Sequence, residues 1–142
     1  MRLKIACMVL LSFLLIGGVV FYFFVESLSQ RRPDVIELSS SRQYIVERVP
    51  FISLFFTEPL SYLRITDQDS PEHIYRSPLY PTTRLLEMQL SEDKGALRIS
   101  DFAFLTGEKR FVFYSRQWKD HWMNRFVSNA PYSIEHLDES GK

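Results

Sequence analysis

The sequence has one cysteine, Cys7, and it lies inside a long apolar run. Outside that run no disulfide and no thiolate metal site can form, which excludes disulfide-framed modules and zinc ribbons. Histidine is equally scarce: His73, His121 and His136 are the only three, and no two of them have the spacing of a His-Glu-x-x-His zinc site. The five glycines do not gather into a phosphate-cradling loop, and no Gly-x-Ser-x-Gly presents a nucleophile. Asp67, Asp69 and Glu72 are acidic neighbours, but they lack the glycine and the terminal glutamate of a calcium loop. Neither sign of charge is in excess, with 17 basic and 17 acidic residues, so the clustered positive field that nucleic acid demands is missing. No Asn-x-Ser/Thr glycosylation sequon occurs. These absences predict a protein without metal, cofactor or catalytic constellation, and so not an enzyme.

Apolar sequence, by contrast, is plentiful. The run from Ile5 to Val25 contains no charged residue. At about 1.5 Å per helical residue it reaches roughly 30 Å, the thickness of a bilayer's hydrocarbon core. Arg2 and Lys4 precede it, Glu26, Arg31 and Arg32 follow, and Phe21, Tyr22, Phe23 and Phe24 bunch at its end, as aromatic residues do at a membrane interface. Gly17 and Gly18 would each cost a water-soluble helix about 1 kcal/mol relative to alanine, yet are ordinary in transmembrane helices. Being adjacent rather than four apart, they do not make the small-xxx-small dimer motif.

The run therefore predicts a retained signal-anchor. The competing reading is a cleaved signal peptide, with Ser27-Leu28-Ser29 as processing site and a secreted or periplasmic product. Against cleavage, the run is longer than the usual apolar region of a signal, and bulky aromatics fill its end. The basic tip predicts an inside N-terminus with the remainder outside, at a bacterial inner membrane with a periplasmic domain.

The organisation predicted is a cytoplasmic tip and anchor over 1–25, a polar serine-rich linker over 26–43, one soluble domain over 44–137, and a fraying tail over 138–142. Aromatic residues form 15% of the chain, which supplies a packed core and argues against disorder. Val35, Ile36 and Leu38 suit a short edge strand or a turn of helix within what otherwise reads as a spacer. Within Tyr44 to Leu60, the apolar core of Phe51, Ile52, Leu54, Phe55 and Phe56, bracketed by Pro50 and Pro59, suits a buried strand preceded by a short one over Tyr44 to Val49. Leu63 and Ile65 alternate with polar residues, as do Leu86, Met88 and Leu90, giving one-sided strands. Glu92 to Gly95 reads as a reversal. Leu97 to Leu105 reads as the returning strand, its alternation breaking at Asp101 in a bulge or a doubly covered segment. Thr106-Gly107-Glu108-Lys109 predicts a β-hairpin, with Gly107 able to take a positive φ. Ser115 predicts a helix N-cap, and Trp118, Trp122 and Phe126 recur every fourth residue to about Val127, an aromatic stripe facing the sheet. Tyr132 to Leu137 predicts a last edge strand.

The expected fold is thus α+β: one N-terminal transmembrane helix, then a small antiparallel β-meander of about four to six strands with one C-terminal helix packed on it. No family resemblance is specific. The lipid bilayer is the first partner, through Ile5 to Val25. The expected activity is binding of another envelope protein, as accessory subunit, assembly factor or immunity-type inhibitor, with no nucleic acid involved. A tethered small-ligand or lipid sensor is the alternative. The candidate binding residues are Tyr75, Arg76, Tyr80 and Arg84, near two prolines, with Trp118 and Trp122 on the stripe, since tyrosine, tryptophan and arginine dominate interface hot spots.

Overall fold

A computed structural model describes residues 1–51, 57–85 and 88–135, which form two compact units, Met1–Arg31 and Arg32–Lys142. The first unit is a single helix, α1 (Arg2–Ser27), with no buried residue. It is long and apolar enough to cross a membrane, and a signal sequence meets the same description. Ser12 turns its hydroxyl back onto the Met8 carbonyl at 2.9 Å, so the polar group inside the apolar run is satisfied within the helix. The Arg31 guanidinium lies 5.4 Å from the centre of the Phe24 ring.

The second unit is built from ten short strands among the described residues: β1 (Val35–Leu38), β2 (Tyr44–Phe51), β3 (Leu60–Asp67), β4 (Ile74–Arg76), β5 (Tyr80–Pro81), β6 (Leu90–Asp93), β7 (Ala96–Ile99), β8 (Phe102–Leu105), β9 (Arg110–Phe113) and β10 (Tyr132–Ile134). A short helix, α2 (Asn124–Val127), precedes the last. One antiparallel sheet runs β1-β2-β3-β4, with β5 also pairing β3. The other runs β10-β9-β8-β7-β6, a meander in which only β10 is parallel to its neighbour.

Alternation explains the layering. Tyr44, Val46, Leu63 and Ile65 from the first sheet and Leu97, Ile99, Phe102, Phe104, Phe111 and Phe113 from the second form one buried cluster, so the sheets pack face to face. Its centre is aromatic: Phe102 meets Phe113 edge-on at 4.6 Å, Phe104 meets Phe111 at 4.9 Å, and Trp118 stacks on Phe113 at 4.5 Å. Two polar ties help fix the frame. Arg48 donates both Nε and Nη2 to the Asp34 carboxylate, at 2.8 and 2.7 Å, and this pairing holds the guanidinium above the ordinary arginine range despite the opposing effect of burial. Glu92 on β6 accepts the Ser41 N–H and hydroxyl at 2.7 and 2.8 Å, joining the two sheets.

The long apolar helix, the antiparallel meander and the short C-terminal helix match the layout predicted from sequence. The details differ where tight turns were illegible. The strands divide into two sheets, and Leu97 to Leu105 is two strands of the second and not one: Ser100-Asp101 closes a two-residue hairpin, with Ser100 at φ 51°. Both runs then point their alternate residues inward, which makes the sequence look continuously apolar. Lys94-Gly95, both at positive φ, closes the preceding hairpin with the twist that type I′ turns share. The hairpin between β8 and β9 forms as predicted, but its left-handed residue is Lys109 (φ 52°), not Gly107. The expected linker contains β1, whose four residues pair with Ile45 to Arg48. Of the strand expected at Leu86 to Leu90, Met88 is buried outside any strand, β6 begins at Leu90, and residues 86 and 87 lie outside the described residues. So do residues 52–56 of the predicted apolar strand, and His136, Leu137 and the tail.

Candidate functional site

Beyond β9 the chain does not enter the helix predicted from Ser115 to Val127; α2 spans only Asn124–Val127. Side-chain bonds explain the difference. Ser115 Oγ accepts the Gln117 N–H, a turn and not a helical cap, and Trp118 sinks into the core with Nε1 donating to the Leu79 carbonyl at 2.9 Å. Asn124 is fully enclosed and joins the segment to the strands: its Oδ1 accepts the Leu79 N–H at 2.8 Å and its Nδ2 donates to Asp120 at 2.7 Å. Asp120 also accepts the Tyr132 hydroxyl. Partial burial and then the Asp120 bond and charge push the Tyr132 phenol up.

With helical periodicity gone, the aromatic stripe splits. Trp118 is core, whereas Trp122 is 66% exposed and Phe126 36% exposed. Their rings meet edge-on at 6.3 Å, and the His121 ring lies 6.0 Å from Trp122. The correction to the sequence reading is therefore that only Trp118 of this trio faces the sheet.

Trp118 and His121 line a cleft of about 440 Å³, within the 300–1,000 Å³ usual for small-molecule sites. Its apolar lining comes from Leu60, Leu79, Pro81 and Trp118. Its polar lining comes from Glu58, Arg84, Gln117, Lys119 and His121. Arg84 stands on the 3₁₀ turn Thr82–Leu85, which follows β5 directly. Its guanidinium donates to Ser115 Oγ at 2.8 Å and to Gln117 Oε1 at 2.6 Å, so the head is fixed across the cleft wall by two neutral acceptors. His121 Nδ1 accepts the Met123 N–H at 3.3 Å, which leaves the ring's own proton on Nε2.

Of the six residues singled out from sequence, Arg84 and Trp118 meet in this cleft and Trp122 lies next to it in the chain. The others serve the fold. Tyr75 is half-buried with its ring 5.3 Å from Phe104. Tyr80 is enclosed at 4.9 Å from Phe102. Arg76 is buried, its Nε donating to the Val127 carbonyl at 2.9 Å while its own N–H donates to Asn129 Oδ1. With Asn129 Nδ2 on the Ile74 carbonyl, these bonds cover the outer edge of β4, which would otherwise invite another strand. Sequence reasoning missed Lys119 and His121 as lining residues, and Gln117 and Ser115 as the groups that aim Arg84. Nothing in their spacing signalled it, because the partners lie more than thirty positions apart.

Lys109 forms a second polar cluster. Its ammonium lies 3.5 Å from Asp67, 3.4 Å from the Tyr44 hydroxyl and 5.4 Å from the Tyr44 and Tyr75 ring centres. Desolvation pulls its pKa down, but the hydrogen bond to the Tyr44 hydroxyl and the electrostatic attraction of Tyr44, Tyr75 and Asp67 outweigh this and hold it above the ordinary lysine range. Every group there is engaged with another, which makes it a structural tie. Among the described residues, no three of His, Cys, Asp and Glu gather as a metal site. No protein-family model, curated protein or solved structure matches the chain.

Proposed function

We propose that the chain is a single-pass, membrane-anchored protein whose folded unit binds another envelope protein and performs no catalysis. Its placement in this reading is a bacterial inner membrane, with the basic tip inside and the domain in the periplasm. The observation that supports partner binding is the exposure of Trp122, with Phe126 edge-on against it, on a domain that buries its other tryptophan. Tryptophan is the residue most enriched among binding hot spots, and solvent is a costly place to leave one. Arg125, exposed and next to Phe126 in the chain, adds the kind of charged neighbour found at the rim of a protein interface. A photo-reactive phenylalanine analogue in place of Trp122 in the full chain, irradiated in cells, is expected to give one discrete protein adduct. The same analogue at exposed Glu108 is expected to give none. No adduct at position 122 across several growth conditions, or the same adduct from both positions, overturns the reading. The cleft beside Arg84 supports a second reading, a tethered small-ligand sensor.

A further inference from the structure

We infer that the cleft is a binding site for an anionic group, phosphate or carboxylate, carried on a short apolar body. The inference rests on the ligand-binding reading of the cleft and is independent of partner docking at Trp122.

Arginine placement carries it. Of the three buried arginines of the first sheet, two are neutralised by a carboxylate, Arg48 by Asp34 at 2.7 Å and Arg64 by Glu47 at 2.6 Å, and the third, Arg76, is turned away from the cleft onto the Val127 carbonyl at 2.9 Å. Arg84 has no such partner among the described residues and is held by Ser115 and Gln117, which orient its fork without cancelling its charge. A guanidinium has five N–H groups, so two such bonds leave donors for a bidentate oxyanion. Lys119 adds a second positive charge to the lining, against the single negative charge of Glu58. Glu58 is exposed, so water screens it, whereas Arg84 is half-buried and its field is less screened. Leu60, Pro81 and the Trp118 ring supply the apolar lining that a bare inorganic anion would leave uncovered. Fixing the guanidinium in advance lowers the ordering cost of binding, as preorganised sites do.

The test uses the full chain in phosphatidylcholine nanodiscs, titrated calorimetrically with hexyl phosphate, hexanoate, inorganic phosphate and hexanol. Saturable binding of hexyl phosphate or hexanoate is expected, at least about threefold weaker binding of inorganic phosphate, and none of hexanol. Arg84→Gln is expected to weaken binding about tenfold or more, since a hydrogen bond to a charged group is lost. Arg84→Lys, which keeps the charge without the fork, is expected to fall between. Should Arg84→Gln not fold, Lys119→Gln on the exposed side of the cleft carries the test, with about threefold weakening. Trp122→Ala is expected to leave binding within about twofold, so that this inference and partner docking fail separately. Loss of the hexyl phosphate response in discs containing phosphatidylglycerol identifies a lipid headgroup as the natural source. Its retention there identifies a soluble anion, and either result keeps the site. No saturable binding of either amphiphile in phosphatidylcholine discs, or wild-type affinity in the folded Arg84→Gln and Lys119→Gln variants, overturns it.

Discussion

The phenol oxygen of Tyr80 is enclosed and has no hydrogen-bond partner among the described residues. A hydroxyl left in that state costs about 1–3 kcal/mol, while the ring it is attached to is well used at 4.9 Å from Phe102. Tyr80→Phe keeps the ring and removes the orphan, so it is expected to stabilise the domain by about 1 kcal/mol, a rise of a few degrees in Tm. The same burial, opposed by the Arg48 charge and reinforced by that of Asp34, pushes the phenol well above the ordinary tyrosine range. Its sign follows from linkage. The folded state holds this proton more tightly than the unfolded state, so the contribution is complete below the unfolded value near pH 10 and drains away above it. Denaturant melts at pH values from about 9 to about 11 are expected to show wild type losing stability more steeply than Tyr80→Phe, by up to about 1.4 kcal/mol per pH unit. Parallel curves would contradict this account of Tyr80.

Among the elements, α2 is the one that tertiary bonds create. Four residues are too few for a helix to stand on propensity, and its only basic residue near the end is Arg125. What holds it is Asn124, through the Leu79 N–H and Asp120, together with Arg76 on the Val127 carbonyl. Asn124→Ala strands a buried N–H and loosens Asp120, so a loss of about 2 kcal/mol is expected, with faster hydrogen exchange at Leu79 as the local reading. Unchanged exchange at Leu79 would mean that the segment is held by something else. The same element shows where sequence legibility ends. Period-two alternation revealed β3 and β7, and the polar four-residue turn revealed the β8–β9 hairpin, because these signals are local. The Ser100-Asp101 turn was hard to see because the pair, though made of turn-forming residues, lacks the glycine or asparagine that usually takes positive φ in a two-residue hairpin, and serine carries it. The helical stripe misled because a spacing of four has meaning only inside a helix, and the Trp118 bond to Leu79 overrides it from 39 positions away. For the cleft, residue type picked out Arg84 and Trp118, whereas the neighbours that aim and charge it are assembled by the fold.

At the scale of the whole molecule, the chain divides into a helix with no buried side chain and a sandwich with its own core, and what α1 does decides where the sandwich works. Its leucines, isoleucines, valines and phenylalanines, at roughly −0.3 to −0.6 kcal/mol each, give roughly −6 kcal/mol toward insertion. That is comfortable for a span, but two central arginines, at roughly +2.5 to +3.5 kcal/mol each, are enough to cancel it. Leu11→Arg combined with Leu15→Arg is therefore expected to abolish membrane retention while leaving the domain folded, since neither residue belongs to the sandwich. Wild type is expected to stay in the membrane pellet after alkaline carbonate washing, at the full mass of the chain, and the double variant to appear in the supernatant. A wild-type product that washes free and has lost the mass of α1 would instead make this helix a cleaved signal. The two outcomes separate a tethered binding domain from a diffusing one, because only the tethered form confines the Trp122 patch and the Arg84 cleft to whatever shares its membrane.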